Sequence, residues 1–183
     1  MNKAIFLDRD GTLNYDSENY VKSIAEFKIF KNTPEAIRIF SQSGYLVIII
    51  TNQSGISRDY FSKKELQHMH DKLKSAVKSE GGRIDAIYYC PHHPDDNCDC
   101  RKPGLANVRK AIKRFDIDQS NSYFIGDSKK DITTGAKAGC RTILVRTGIK
   151  NYRPEDIIKW KFKPDHIMDD ILTAAKMITN KQK

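Results

Sequence analysis

Residues 3–14 read KAIFLDRDGTLN: an apolar run, then two carboxylates, Asp8 and Asp10, separated by one arginine and followed by Gly11. A short continuous apolar run of this kind reads as a buried strand. In an extended segment the Asp-x-Asp spacing puts both carboxylates on one side, with Arg9 pointing away. Gly11 then lets the chain turn sharply. The same pattern recurs as YLVIII at 45–50, IDAIYY at 84–89, SYFIGD at 122–127 and RTILVRTG at 141–148, with DHIM at 165–168 as a short sixth run.

Helical stretches fall between these runs. One begins at Pro34. A second opens on Ser62-Lys63-Lys64-Glu65, which has the form of a capping box, and carries Leu66, Met69, Leu73 and Val77 at helical spacing. A third runs from about Leu105 through Val108, Ile112 and Phe115, and a last one carries Ile171, Leu172, Ala175 and Ile178. Alternating strands and helices predict an α/β fold: one Rossmann-like domain over residues 1–183, a mostly parallel sheet flanked by helices.

The 183 residues are 39% hydrophobic and 30% charged, with no apolar run near the roughly 18 residues of a membrane span. A soluble protein with no membrane partner is expected. The first apolar run is too short for the core of a signal peptide, and clustered cysteines fit a reducing compartment, so the expected location is cytoplasmic. A net charge of +9 favours anionic partners without choosing between nucleic acid, acidic surfaces and small phosphorylated molecules. Many of the lysines lie in KKELQHMHDKLKSAVK at 63–78 and in the tail NKQK at 180–183, where a solvated face explains them.

In open α/β sheets, ligands gather at the carboxyl ends of the strands. The groups at those ends are Asp8 with Asp10, Thr51 with Asn52, Cys90 onward, and Asp127. Packing does not account for four polar strand ends. The stretch CPHHPDDNCDC at 90–100 holds three of the four cysteines. Cys90, Cys98 and Cys100 with one imidazole, His92 or His93, suit tetrahedral Zn2+ with no open position, which makes a structural site. A disulfide between cysteines this close is strained and is disfavoured in a reducing compartment. Cys140 stands apart and reads as a buried core thiol.

LDRDGT, TNQSG at 51–55, Lys102 and GDSKKD at 126–131 follow in an order that resembles the haloacid dehalogenase (HAD) superfamily of phosphotransferases. The resemblance implies that Asp8 attacks phosphorus to form an aspartyl-phosphate, while Asp10 protonates the leaving oxygen and then activates water. Mg2+ would be held by Asp8, the main-chain carbonyl of Asp10, and Asp127. Lys102 and the Thr51 hydroxyl would stabilise the phosphoryl oxygens. On this reading Asp8 stays ionised, Asp10 is partly protonated near neutrality, and Asp131 either orients Lys102 or supports the metal. The segments Asp10–Thr51 and Thr51–Lys102 are already filled by strands, helices and the cysteine loop, so no cap domain is expected and loops must select the substrate.

Within that superfamily, FLDRDGTLN, TNQSGISR, YYCPHHP and CDCRKP are similar to the D-glycero-D-manno-heptose 1,7-bisphosphate phosphatase family, cytoplasmic enzymes of bacterial heptose biosynthesis. The resemblance selects His92 as the fourth ligand beside Cys90, Cys98 and Cys100. It implies a small phosphorylated sugar as substrate, contacted by Asp16, Tyr20, Thr51, Asn52, Gln53, Ser54, Arg58, Arg101 and Lys102. Arg58 suits a second phosphate, and Arg101 suits bidentate recognition of an oxyanion. The zinc loop, about 90–102, would fix Arg101 and Lys102. Ser128 stands where that family tends to have lysine, a role Lys129 is expected to fill in part. A histidinol-phosphate phosphatase, a polynucleotide 3′-phosphatase and a basic zinc module for nucleic acid are the competing readings. The last would place Asp8, Asp10 and Asp127 where they repel a phosphate backbone. A monomer with no nucleic-acid partner is expected.

Overall fold

The computed structural model describes residues 1–180; the tail beyond Asn180, to which NKQK extends, lies outside the described residues. The chain runs β1 (Ala4–Leu7), α1 (Thr33–Gln42), β2 (Leu46–Asn52), α2 (Lys63–Ser79), β3 (Ala86–Cys90), a short 3-10 turn (Pro94–Asp96), α3 (Ala106–Phe115), β4 (Tyr123–Gly126), α4 (Lys129–Lys137), β5 (Arg141–Val145), α5 (Pro154–Ile157), β6 (His166–Met168) and α6 (Ile171–Asn180). The six strands form one sheet in the order β3-β2-β1-β4-β5-β6, and each neighbouring pair is parallel.

The period of two along the strands builds two cores. Ile5, Leu7, Val47, Ile49, Ile125, Ile143 and Val145 face one side, where α1, α2 and α6 supply Phe40, Leu66, Met69, Leu73 and Ala175. Ala4, Phe6, Ile48, Ile50 and Phe124 face the other, against Val108 and Ala111 of α3. A strand buried on both faces must be apolar throughout, which is why these runs do not alternate in polarity. Among the described residues no insertion of domain size interrupts this layering. Among the described residues no helix is long and apolar enough to cross a membrane.

Two local expectations are refined. The capping box at Ser62 is only half made: Ser62 Oγ accepts from Glu65 N–H at 3.1 Å, but the Glu65 carboxylate accepts from Ile24 N–H at 2.7 Å. It thereby ties α2 to the loop after β1. β2 also runs on to Asn52, because Thr51 and Asn52 pair with Tyr89 and Cys90 of β3.

Candidate active site

β1 and β4 are neighbours, while β2 lies on one side of the pair and β5 on the other. This is the switch point at which an open α/β sheet leaves a crevice, and Asp8 and Asp127 end these two strands. Gly11, at φ +80°, makes the turn expected of it, and a Cβ there would lie 2.7 Å from Asp127 Oδ2. Side-chain oxygens of Asp8, Asp127 and Asp131 lie within 4.8 Å of one another. Lys102, only 3% exposed, bonds Asp8 Oδ1 and Asp131 Oδ1, each at 2.7 Å. Asp131 is held by α4: its Oδ2 accepts from the Ser128 N–H at 3.1 Å and from the Ser128 hydroxyl at 2.5 Å.

Three carboxylates share one buried lysine, and the acids respond. Burial and the neighbouring Asp131 push Asp8 up to about 7, against the pull of Lys102. Burial, Asp131 and Asp8 push Asp127 up to about 9. Burial would lower Lys102, but Asp131 and Asp8 outweigh that cost and hold it above the ordinary lysine range. Lys102 pulls Asp8 toward its ionised form, but a single lysine leaves this cluster short of positive charge. Hard oxygen donors with too little cation are a fit for Mg2+. Asp8 and Asp127 would hold it, and Asp10 would contribute its main-chain carbonyl, since its carboxylate lies outside the cluster.

Asp10 departs from expectation. Arg9 does not point away; it is 1% exposed and lies against Phe27, 5.2 Å from the ring centroid. Its Nη2 donates to both Asp10 oxygens at 2.8 and 2.9 Å and its Nε to Oδ1 at 3.1 Å. Asn14 Nδ2 and Gln53 Nε2 donate to the same carboxylate at 2.9 and 2.7 Å. Burial alone would raise Asp10, but the Arg9 charge and these donors overcome it and hold the acid below the ordinary carboxylate range. The resting Asp10 is ionised, contrary to the partly protonated state expected. β1 stops at Leu7, so alternation no longer governs where Arg9 turns.

A pocket of about 290 Å³ sits over this floor. Asp8, Asp10, Asp16, Tyr20, Thr51, Asn52, Gln53, Ser54, Arg101, Lys102 and Asp127 all line it, and Arg58 does not. The Arg58 guanidinium lies 6.0 Å from the Tyr20 ring centroid, and Tyr20 meets Tyr60 edge-on at 5.2 Å. Two of the expected contacts have their side chains committed elsewhere. Asn52 accepts from Lys102 N–H at 2.9 Å and donates to Lys102 C=O at 3.3 Å, so β2 grips the main chain of the lysine. Gln53 donates to Asp10 and also to Thr51 Oγ1 at 2.9 Å, leaving the Thr51 hydroxyl proton to point elsewhere. Lys130, not Lys129, faces this pocket; without the helix in view, the sequence offered no way to choose between them. Asn14, Lys130 and Gly148 were missed altogether, and Arg9 was turned the wrong way. A Cβ on Gly148 would lie 2.1 Å from Asp127 Oδ2.

The cysteine loop follows edge strand β3. Cys90 Sγ lies 3.4 Å from Cys98 Sγ, Cys98 Sγ 3.5 Å from Cys100 Sγ, and His92 Nδ1 3.2 Å from Cys100 Sγ. All four donors fall within 4.8 Å of one another, and the short separations among them are close to the edge of about 3.8 Å that a tetrahedron with Zn–S bonds of about 2.3 Å would have. Burial pushes the Cys90 thiol up to about 12, so it needs a cation to ionise, while bonds from Cys90 and Cys100 overcome a burial penalty and bring Cys98 down to about 7. His93 is otherwise engaged, accepting from Asp95 N–H at 3.3 Å where the chain turns. Cys140, 6% exposed, is the core thiol expected, and burial pushes it up to about 12.

A HAD-hydrolase-like family model matches residues 99–174. The chain is 41% identical over 187 residues to D-glycero-beta-D-manno-heptose-1,7-bisphosphate 7-phosphatase of Pasteurella multocida, covering 97% of each chain. It is 42% identical over 144 residues to the protein of that name from Pseudomonas aeruginosa, covering 79% of this chain and 81% of the relative. Its fold matches the crystal structure of D,D-heptose 1,7-bisphosphate phosphatase from B. bronchiseptica, complexed with magnesium and phosphate, at a TM-score of 0.89 and 37% identity, over 98% of this chain and 99% of that one.

Proposed function

The chain belongs to the heptose-1,7-bisphosphate 7-phosphatase family of HAD hydrolases, and from that premise we propose that it removes the C7 phosphate of D-glycero-β-D-manno-heptose 1,7-bisphosphate. The observation that carries the reading is the pairing of Asp8 with Lys102 at 2.7 Å, at the sheet's switch point. Nucleophile and charge-stabilising cation stand side by side at the floor of a pocket the size of a small sugar phosphate.

Mg2+, when bound by Asp8, Asp127 and the Asp10 carbonyl, supplies the positive charge that lets a carboxylate approach a phosphate dianion. Asp8 Oδ attacks phosphorus, and the bond from phosphorus to the C7 oxygen breaks. Lys102 and the Thr51 hydroxyl meet the charge on the phosphoryl oxygens. Asp10 gives the leaving oxygen a proton and later takes one from the water that hydrolyses the aspartyl-phosphate. The resting, ionised Asp10 is ready for that second task. For the first, the incoming dianion must raise its proton affinity against Arg9, as a like charge does. Asp131 holds Lys102 in line. Arg101 reads the substrate, and the zinc loop holds Arg101 in place.

The clustered free thiols support a reducing, cytoplasmic setting. We take the enzyme as a monomer acting on this small sugar phosphate without a nucleic-acid partner. Phosphate release, with and without Mg2+, is measured on heptose bisphosphate, histidinol phosphate and a 3′-phosphorylated oligonucleotide. Mg2+-dependent release that is fastest from heptose bisphosphate is expected. Faster release from either of the others overturns the reading.

A further inference from the structure

Beside the pocket over Asp8 lies a larger groove of about 1050 Å³. The two share Asp16, Ser17, Glu18, Tyr20, Asp127, Ser128 and Lys130, so they are continuous. The groove's far wall comes from the long crossover between β5 and β6, to which the sequence reading gave no role. Ile157 and Trp160 anchor that crossover on Ile132 and Leu144, with Tyr152 and Phe162 packed against them. The anchored arm carries Lys150 and Lys161 to the groove opposite the first turn of α4.

The charge in this groove is unbalanced. Lys129, Lys130, Lys137, Lys150 and Lys161 all line it, and none makes an ion pair among the described residues. Lys130 is the only one of them that also lines the small pocket. Both Arg101 and Lys150 lie close enough to Lys130 to repel its charge. In Arg101, Nη1 is buried without a partner. Asp16, Glu18 and Asp127 share the groove, but the five lysines outnumber them and Asp127 belongs to the Mg2+ cluster, so the excess positive charge is arranged for an anion.

We infer that Lys130 and Lys150 form the subsite for the phosphate that the reaction does not transfer. This rests on the reading of the chain as a bisphosphate phosphatase. A pocket of about 290 Å³ that already seats one phosphoryl group and most of a sugar leaves the second phosphate at its mouth. That mouth is where Lys130 stands. Arg58, expected to take this phosphate, lies against Tyr20 and lines neither cavity.

The test compares kcat/KM for heptose 1,7-bisphosphate with kcat/KM for p-nitrophenyl phosphate, which has no second phosphate. It uses wild type, Lys130→Ala, Lys150→Ala, the double variant, Lys150→Arg and Arg58→Ala. The preference for the bisphosphate should fall about tenfold for each lysine lost, mainly through KM. Lys150→Arg should restore most of it. Equal losses on both substrates, an unchanged preference in the double variant, or a collapse confined to Arg58→Ala would overturn the subsite while leaving the phosphatase intact. A wild type with no preference for the bisphosphate would overturn the functional reading itself.

Discussion

Mg2+ should stabilise this protein far more at alkaline than at acid pH. Without metal, Asp127 titrates near 9 and Asp8 near 7, against an ordinary value of 3.8. Between about pH 5 and about pH 8 the folded protein therefore holds at least one proton that the unfolded chain has already released. A folded state that binds more protons loses stability as pH rises, by about 1.4 kcal/mol per pH unit for each extra proton. Counting Asp127 alone, because the two acids share one field, the metal-free protein loses about 4 kcal/mol across that window. Mg2+ keeps both carboxylates ionised and removes the slope. The Mg2+-induced rise in Tm, measured at a series of pH values, should accordingly be roughly 10 °C larger at the alkaline end, at about 2–4 °C per kcal/mol for a chain of this size. Subtracting the metal-free curve cancels every group that does not face the ion. Titration calorimetry in buffers of different ionisation enthalpy should show about one proton released per Mg2+ bound near neutrality. A Tm shift that is the same at both ends, with no proton release, would show that the carboxylates are already ionised without metal and refute the argument.

Other outcomes follow from single contacts. Asp8→Asn should abolish turnover, while Asp10→Asn should still bind phosphate and turn over very slowly; wild-type rates in either would remove the assigned role. Gly148→Ala sets a methyl 2.1 Å from Asp127 Oδ2 and should raise the Mg2+ concentration for half-maximal rate more than about tenfold, read from a metal titration. Cys98→Ala should lose zinc by elemental analysis and lower both Tm and activity. Because Asn52 also grips the Lys102 main chain, the loss should fall more on substrate recognition through Arg101 than on the chemical step, so KM should rise more than kcat falls. A zinc-free variant with normal kinetics and stability would break that link. Arg9→Met leaves the half-buried Asp10 without its cation and should cost about 1–3 kcal/mol in chemical denaturation.

The strands and the residues at their ends were legible because burial on both faces leaves an unmistakable apolar run, and each run stops where solvent begins. The zinc loop was legible because its donors are sequence neighbours. Arg9 was not. The alternation that would turn it from Asp10 belongs to extended backbone, and β1 has ended before it. α4 was not singled out, so Lys129 and Lys130 stayed interchangeable until the helix fixed which one meets the pocket. The arm between β5 and β6 carries no periodicity at all. Its position depends on Trp160 and Ile157 finding Leu144 and Ile132, contacts set by the tertiary fold. Asn52 looked like a strand-end ligand contact, and only the cross-sheet geometry shows that it grips Lys102.

The two metal sites also differ in when they can exist. Every zinc donor lies between Cys90 and Cys100, so closing that loop is a local event with a small entropic cost, and it needs no ligand from later in the chain. The carboxylate site needs Asp8 and Asp127, which meet only after β4 has been made and has docked against β1. During synthesis the thiolates are therefore on offer before the Mg2+ site has formed. Zn2+ binds most sites far more tightly than Mg2+ and would be a poor tenant among the aspartates. A soft site completed earlier along the chain would offer Zn2+ its preferred donors first.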